Sequence, residues 1–133
     1  MPTTISKEKK KLDKIFSEFI RLRDSDENGY GTCCTCGVPK FWREADNGHA
    51  VTRGDLATRF HEHNCMLQCK RCNMRGGEQF LFSKEVDRRW GDGSWDEVMS
   101  MRKNQTKYSI SDYKDLQLKY STQVKAWKAE RGL

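Results

Sequence analysis

CCTC at residues 33–36 and CKRC at residues 69–72 are the two stretches that decide the fold of this chain. Each is a Cys-x-x-Cys pair, and a gap of two residues lets one tight turn direct both sulfurs at the same ion. Zinc favours four such ligands in a tetrahedron, so two pairs joined by a polar insert predict one structural zinc ion. The predicted ligands are Cys33, Cys36, Cys69 and Cys72.

Two further cysteines leave the choice of ligands open. Cys34 could form a shorter Cys-x-Cys pair with Cys36, and Cys65 lies near the second pair. We favour Cys33 because its spacing from Cys36 matches that of the second pair. Cys34 and Cys65 are then expected to be free thiols that pack as small apolar groups.

The composition of the chain explains why it would need a metal. Of its 133 residues, 35% are hydrophobic and 33% are charged, which is too little apolar material for a large self-sufficient core. All six cysteines and all three histidines lie within residues 33–72, and this clustering favours metal ligation over a disulfide scaffold. Neither a membrane span nor a signal-peptide pattern is present in the sequence, so we expect an intracellular protein with no membrane partner.

The chain divides into three segments. Residues 7–23 have apolar positions three and four apart and are predicted to form an amphipathic helix. Residues 33–77 contain every candidate ligand. They include strand-sized apolar stretches at residues 49–51 and 65–67, and a helix is expected to begin near Cys69. Residues 78–133 resemble a helical tail. We therefore predict one α+β domain over residues 1–133, a small zinc-stapled core flanked by helices at both ends.

The tail carries two helix-start signals and one apolar stripe. Ser94 with Glu97, and Ser109 with Asp112, each fit a capping box. The stripe has gaps of three and four residues, and it could pack on its own core or on a second copy of the chain. Because the core is small, we predict a homodimer, the commonest symmetric assembly. The stripe consists of Tyr113, Leu116, Tyr120, Val124 and Trp127.

The insert between the cysteine pairs suggests a nuclease site. A histidine followed by two asparagines, here His49, Asn64 and Asn73, is the order found in a ββα-metal nuclease. Hydrolysis of a phosphodiester needs a base for the attacking water and a cation near the leaving oxygen. A histidine with its ordinary pKa of ~6.5 can be that base. We expect Asn64 to brace the loop backbone and Asn73 to offer an amide oxygen to Mg²⁺ or Mn²⁺.

Asp46 is the predicted acidic ligand of the same catalytic cation. A hard cation prefers oxygen ligands, and a carboxylate three residues before His49 is the nearest one in the sequence. Strand alternation alone would not place the two side chains on one face. A bend at Gly48 would bring them together.

These motifs resemble the HNH nuclease superfamily, and more specifically the NinG (Rap) proteins of lambda-like phage recombination modules. The resemblance covers roughly residues 12–80 and rests on these stretches: IFSEFIRLRDSDENGY, CCTCG, WREADNGHAVTR, LATRFHEHN and QCKRCN, followed by Gly76-Gly77. It implies an HNH-type endonuclease in the host bacterium's cytoplasm that nicks branched intermediates such as Holliday junctions and D-loops. The family's histidine and two asparagines fall on His49, Asn64 and Asn73. Many HNH enzymes have an acidic residue directly before the histidine, whereas this chain has Gly48.

The charge of the chain agrees with a nucleic-acid partner. The formal net charge is +6, and five basic residues surround the predicted site in sequence. Such residues bind phosphates without reading bases, which suits recognition of shape rather than sequence. The predicted DNA contacts are Arg53, Arg59, Lys70, Arg71 and Arg75.

Two other functions remain compatible with the sequence. A zinc-stabilised DNA-binding module without catalysis would keep the cysteines but would not need the pairing of His49 with Asn73. A sequence-specific restriction or homing nuclease would normally carry a separate recognition domain.

Overall fold

A computed structural model describes residues 2–133, leaving Met1 of the predicted domain outside the description, and shows helices combined with two small antiparallel sheets. This agrees with the predicted α+β class. No helix among the described residues has both the length and the apolar character needed to cross a membrane. The strands are β1 Tyr30–Thr32, β2 Pro39–Phe41, β3 Asp46–His49 and β4 Cys65–Gln68. The helices are α1 Ile5–Arg23, α2 Leu56–Arg59, α3 Lys70–Met74, α4 Gln79–Trp90, α5 Ser94–Ser100 and α6 Ile110–Arg131.

Helix α1 covers the predicted residues 7–23 and begins two residues earlier. Thr4 sets this start, because its side-chain oxygen accepts a hydrogen bond from the backbone N–H of Lys7 at 3.2 Å. The apolar face is buried, with Leu12, Phe16 and Ile20 almost fully removed from solvent. The opposite face remains polar, and part of it borders the candidate site described below.

Helix α6 packs against α1 and forms the larger hydrophobic core. The ring of Tyr120 lies 4.9 Å from that of Phe16 and 4.6 Å from that of Phe19, and the Trp127 ring lies 5.4 Å from Phe19. Tyr113 is also buried in this core. The apolar stripe of the tail therefore folds back on its own chain, and the surface on which we based the predicted homodimer is occupied within one molecule.

Strands β3 and β4 pair antiparallel and are followed directly by α3. Asp46 lies opposite Gln68, and His49 lies opposite Cys65. The sequence suggested a strand over residues 49–51, but β3 ends at His49. The backbone N–H groups of the next two residues turn to the carbonyl and side-chain oxygens of Asn64 instead, at 2.8 and 2.7 Å.

Only one of the two expected capping boxes is present. At the start of α6, Ser109 and Asp112 exchange both hydrogen bonds of the box. At α5 the expected box is wrong, since Gly93 is the N-cap and Ser94 is the buried first residue. The reason is tertiary: the carboxylate of Asp87 on α4 accepts the N–H of Trp95 at 2.8 Å and so caps this helix from outside.

We expect Tyr120→Ala to lower the free energy of unfolding by roughly 3–5 kcal/mol, because a buried aromatic ring leaves a cavity between α1 and α6. Leu118→Ala is the matched control on the same helix, since Leu118 is 68% exposed and its replacement should change stability by less than about 0.5 kcal/mol. Denaturant unfolding of zinc-loaded protein measures both. Equal effects of the two substitutions would contradict the packing described above.

Candidate functional site

The four predicted zinc ligands converge at one point. The sulfur atoms of Cys33, Cys36, Cys69 and Cys72 all lie within 4.8 Å of one another, and those of Cys36 and Cys69 are 3.8 Å apart. A tetrahedral site with Zn–S bonds of ~2.3 Å requires sulfurs about 3.8 Å apart. The four cysteines are therefore close enough together to hold a zinc ion.

The two remaining cysteines lie outside this cluster. Cys34 packs beside Met66 and Phe82, and its pKa is raised by a hydrogen bond to Cys33 and by burial. Cys65 is fully buried in the core beneath α1, and burial raises the pKa of its thiol as well. Neither sulfur belongs to the group of four that lie within 4.8 Å of one another, so neither is placed to share that ion.

Gln68 links the two halves of the cysteine cluster. Its side-chain amide nitrogen donates to the hydroxyl of Thr35 at 3.1 Å and to the carbonyl of Gly77 at 2.8 Å. The Thr35 hydroxyl in turn lies 3.4 Å from the sulfur of Cys33. This buried side chain therefore fixes the first cysteine turn relative to the turn that follows α3.

The same glutamine explains why the chain has glycine directly before His49. A Cβ atom placed on Gly48 would lie 2.9 Å from the Cβ of Gln68 and would clash with its amide oxygen. No side chain fits at position 48 while Gln68 keeps its place. An acidic residue at this position is therefore excluded on steric grounds.

A cavity of about 760 Å³ lies beside the cysteine cluster and brings the predicted site residues together. Asp46 and His49 of β3 and Asn73 of α3 all line it, although strand alternation alone would not have placed the first two on one face. The polar face of α1 lines it as well, through residues that include Lys10 and Lys14.

His49 enters the cavity as a neutral imidazole. Its Nδ1 lies 3.3 Å from the carbonyl oxygen of Asn47, and its Nε2 lies 3.2 Å from that of Arg59. Burial lowers the pKa of the ring to about 4 and outweighs both carbonyls, which favour the charged form. A neutral ring carries one N–H, so it can donate to one carbonyl while its other nitrogen keeps the lone pair that a base requires.

Asp46 and Asn73 lie within hydrogen-bonding distance of each other. The amide nitrogen of Asn73 donates to Oδ2 of Asp46 at 3.0 Å, which leaves the amide oxygen of Asn73 outside this bond. Lys70 donates to the other carboxylate oxygen at 2.7 Å. Lys70, which the sequence indicated as a DNA contact, therefore neutralises the predicted metal ligand here.

Asn64 is fully buried and holds the loop between β3 and β4. Its side-chain oxygen accepts from the N–H of Val51 at 2.7 Å, and its side-chain nitrogen donates to the carbonyls of Val51 and Thr58 at 3.2 and 3.0 Å. These are the loop-bracing contacts expected of it. It does not line the cavity, so its contribution to the site is positional.

The four predicted DNA-binding arginines have different environments. Arg59, the last residue of α2, is largely buried and forms a bidentate ion pair with Asp13 of α1, so it connects α1 to α2. Arg53 lines the cavity, is 60% exposed and contacts the same carboxylate at 3.2 Å. Arg71 and Arg75 are exposed. Of these four arginines, only Arg59 is both buried and paired, so it is poorly placed to bind phosphate.

Lys10 and Lys14 are cavity residues that the sequence reasoning missed. Lys10 lies near the start of α1, where a lysine is usually solvated, and the tertiary position of α1 brings it to the cavity. Neither lysine forms an ion pair within residues 2–133. Their spacing of four residues, which places both on one helix face, was the available signal.

Replacement of Cys72 by serine should release the metal and unfold residues 33–77, because metal binding and folding are coupled in such cores. Elemental analysis should give about one zinc per chain for the unaltered protein and much less for Cys72→Ser. Cys34→Ser is the matched control, since Cys34 lies outside the cluster, and it should retain its zinc. A well-folded, zinc-free protein would contradict the assignment.

The lowered pKa of His49 predicts a specific loss of stability in acid. Between about pH 6.5, the ordinary pKa, and the folded-state value of about 4, the unfolded chain binds a proton that the folded chain does not. The free energy of unfolding is therefore little affected by this ring above pH 6.5 and falls as the pH drops below that value. From pH 7 to pH 5, wild type should lose about 2 kcal/mol more than His49→Gln in denaturant unfolding. An equal loss of unfolding free energy in the two proteins would show that folding does not lower the pKa of His49.

Comparison with known proteins identifies the family. The family model described as bacteriophage lambda NinG protein matches residues 4–130. No curated protein and no solved structure gives a significant match to the chain. The family match spans α1, the cysteine cluster, the cavity residues and nearly all of α6. The chain therefore belongs to the bacteriophage lambda NinG family.

Proposed function

We propose that this protein is a metal-dependent endonuclease of the HNH type that nicks branched DNA during phage recombination. The observation that carries the proposal is the convergence of His49, Asp46 and Asn73 on one cavity beside a four-cysteine cluster. In chain order, β3, β4 and α3 correspond to the three elements of a ββα-metal core. Membership of the NinG family supports the role in recombination inside the host cell.

His49 is the proposed general base. Its buried ring is neutral at physiological pH and therefore able to accept the proton of the attacking water. A base with a pKa of about 4 is weak. The negative charge of a bound phosphate would raise this pKa, and the charge of a bound cation would oppose that rise. The ring is oriented by the one carbonyl that accepts its N–H, which is that of Asn47 or that of Arg59 according to the tautomer.

Asp46 and Asn73 are the proposed holders of the catalytic Mg²⁺ or Mn²⁺. A carboxylate and an amide oxygen suit a hard cation, which when bound would stabilise negative charge on the scissile phosphate. Asp46 has both oxygens engaged by Lys70 and Asn73, so cation binding requires the Asn73 amide to turn its oxygen inward. The freed Lys70 ammonium could then pair with phosphate.

Phosphate contacts are proposed on two sides of the cavity. Lys10 and Lys14 on α1 and the exposed Arg53 supply positive charge at the lining, while Arg71 and Arg75 extend it beyond α3. Such contacts position a strand without reading its sequence. Recognition of DNA shape follows from this arrangement.

A non-catalytic DNA-binding module is the second candidate function. It is favoured by one observation, the engagement of both Asp46 oxygens by protein donors. A protein of this kind would bind branched DNA but leave it intact in the presence of Mg²⁺ or Mn²⁺.

The homodimer is retained as a proposal on mechanistic grounds. Resolution of a four-way junction requires two nicks, and one chain supplies one candidate site. Since the stripe on α6 is buried against α1, a dimer would have to use another surface. Two molecules acting in sequence would satisfy the same requirement.

Substitution of His49 by alanine should reduce nicking of a labelled four-way junction by ~10²–10⁴-fold, because it removes the base. Junction binding should stay nearly unchanged, since no phosphate contact is lost. The matched control is His61→Ala, which removes an imidazole outside the cavity lining, and it should keep the wild-type rate. The assay compares junction and matched duplex with and without Mg²⁺ or Mn²⁺. Wild-type nicking by His49→Ala would refute the site.

A further inference from the structure

Two large apolar side chains next to the cavity have no covering in the structure. Met74 is 83% exposed and Phe80 is 71% exposed, which makes them the most exposed large hydrophobic residues of the described chain. Each directly follows a cavity-lining residue, because Met74 comes after Asn73 and Phe80 after Gln79. Both side chains therefore start from backbone that adjoins the cavity lining.

The segment that presents Phe80 is firmly anchored. The side chain of Gln79 donates to the carbonyl of Ala50 at 2.6 Å, and the carbonyl of Gly77 accepts from Gln68 at 2.8 Å. Phe82, two residues after Phe80, is fully buried in a smaller hydrophobic cluster with Ala50, Met66 and Val86. Phe80 thus extends into solvent from a fixed backbone, as a side chain must if it is to insert into a partner.

The surroundings of Phe80 are cationic. The ammonium of Lys84 lies 4.9 Å from the centre of the Phe80 ring. In the sequence before it, the exposed Arg71 and Arg75 outnumber the one acidic residue, Glu78. An apolar protein partner would gain little from such neighbours. A nucleic-acid base has an aromatic face for the ring and phosphates nearby for the cations, so it complements both properties of this surface.

We propose that Phe80 inserts against unstacked bases at the branch point of DNA. This inference rests on the proposed function and adds the feature that selects branched DNA. In a continuous duplex every base is stacked, so an inserted side chain must first separate a base step. At a branch point the base faces are already accessible, and the same aromatic contact forms without that cost.

The test measures binding separately from cleavage. Zinc-loaded protein without added Mg²⁺ is titrated into a labelled four-way junction and into a linear duplex of the same arm sequences. Phe80→Ala should weaken junction binding by about ten-fold, the loss expected for one stacked base, and leave duplex binding nearly unchanged. Phe80→Trp should preserve the preference for the junction. Leu118→Ala, which removes a similarly exposed apolar side chain from α6, is the matched control and should have no effect.

The outcomes separate this inference from the proposed function. Junction nicking by wild type together with an unchanged junction preference in Phe80→Ala would overturn the inference alone. Absence of nicking with a Phe80-dependent preference would overturn the nuclease and leave the inference standing. Equal weakening on junction and duplex, failure of wild type to bind DNA, or a change in oligomeric mass in Phe80→Ala would each reject the insertion model.

Discussion

The convergence of four cysteine sulfurs is the constraint on which the site depends. Two of the cysteines come from the turn after β1 and two from the start of α3, so the cluster joins the first sheet to α3. Four thiolates at this separation repel one another strongly unless a cation lies among them. A bound zinc ion would convert that repulsion into the main stabilising interaction of residues 33–77 and would fix α3, with Asn73, against β3, with His49 and Asp46.

A single buried side chain connects this cluster to the catalytic proposal. Gln68 spans from Thr35 to Gly77 and fills the space above Gly48. The position directly before His49, which is acidic in many HNH enzymes, therefore has no room for a side chain while Gln68 keeps its place. Asp46 reaches the cavity from earlier in the same strand, so the chain keeps a carboxylate there without displacing Gln68.

The sequence predicted those parts of the structure that depend on local spacing. The Cys-x-x-Cys pairs, the amphipathic face of α1 and the capping box at Ser109 all follow from residues within a few positions of one another. The end of β3 at His49 was missed because Asn64, fifteen residues away, competes for the backbone. Lys10 at the cavity and Asp87 as an external cap were missed for the same reason, since each depends on how separate helices pack.

The pairing of the first long helix with the last has a consequence for the order of folding. Lys128 contacts Glu18 at 2.9 Å, and Arg131 donates to the carbonyl of Leu22 at 2.8 Å, so these contacts span more than a hundred residues. During synthesis, α1 can already pack on earlier residues such as Phe60, whose ring lies 5.7 Å from that of Phe16. The part of its apolar face that α6 covers stays open until residues 110–131 have emerged from the ribosome. The cysteine segment closes a much shorter loop and can assemble earlier. The cavity wall that α1 supplies therefore gains its full support only after α6 has been made, later than the cysteine cluster can close.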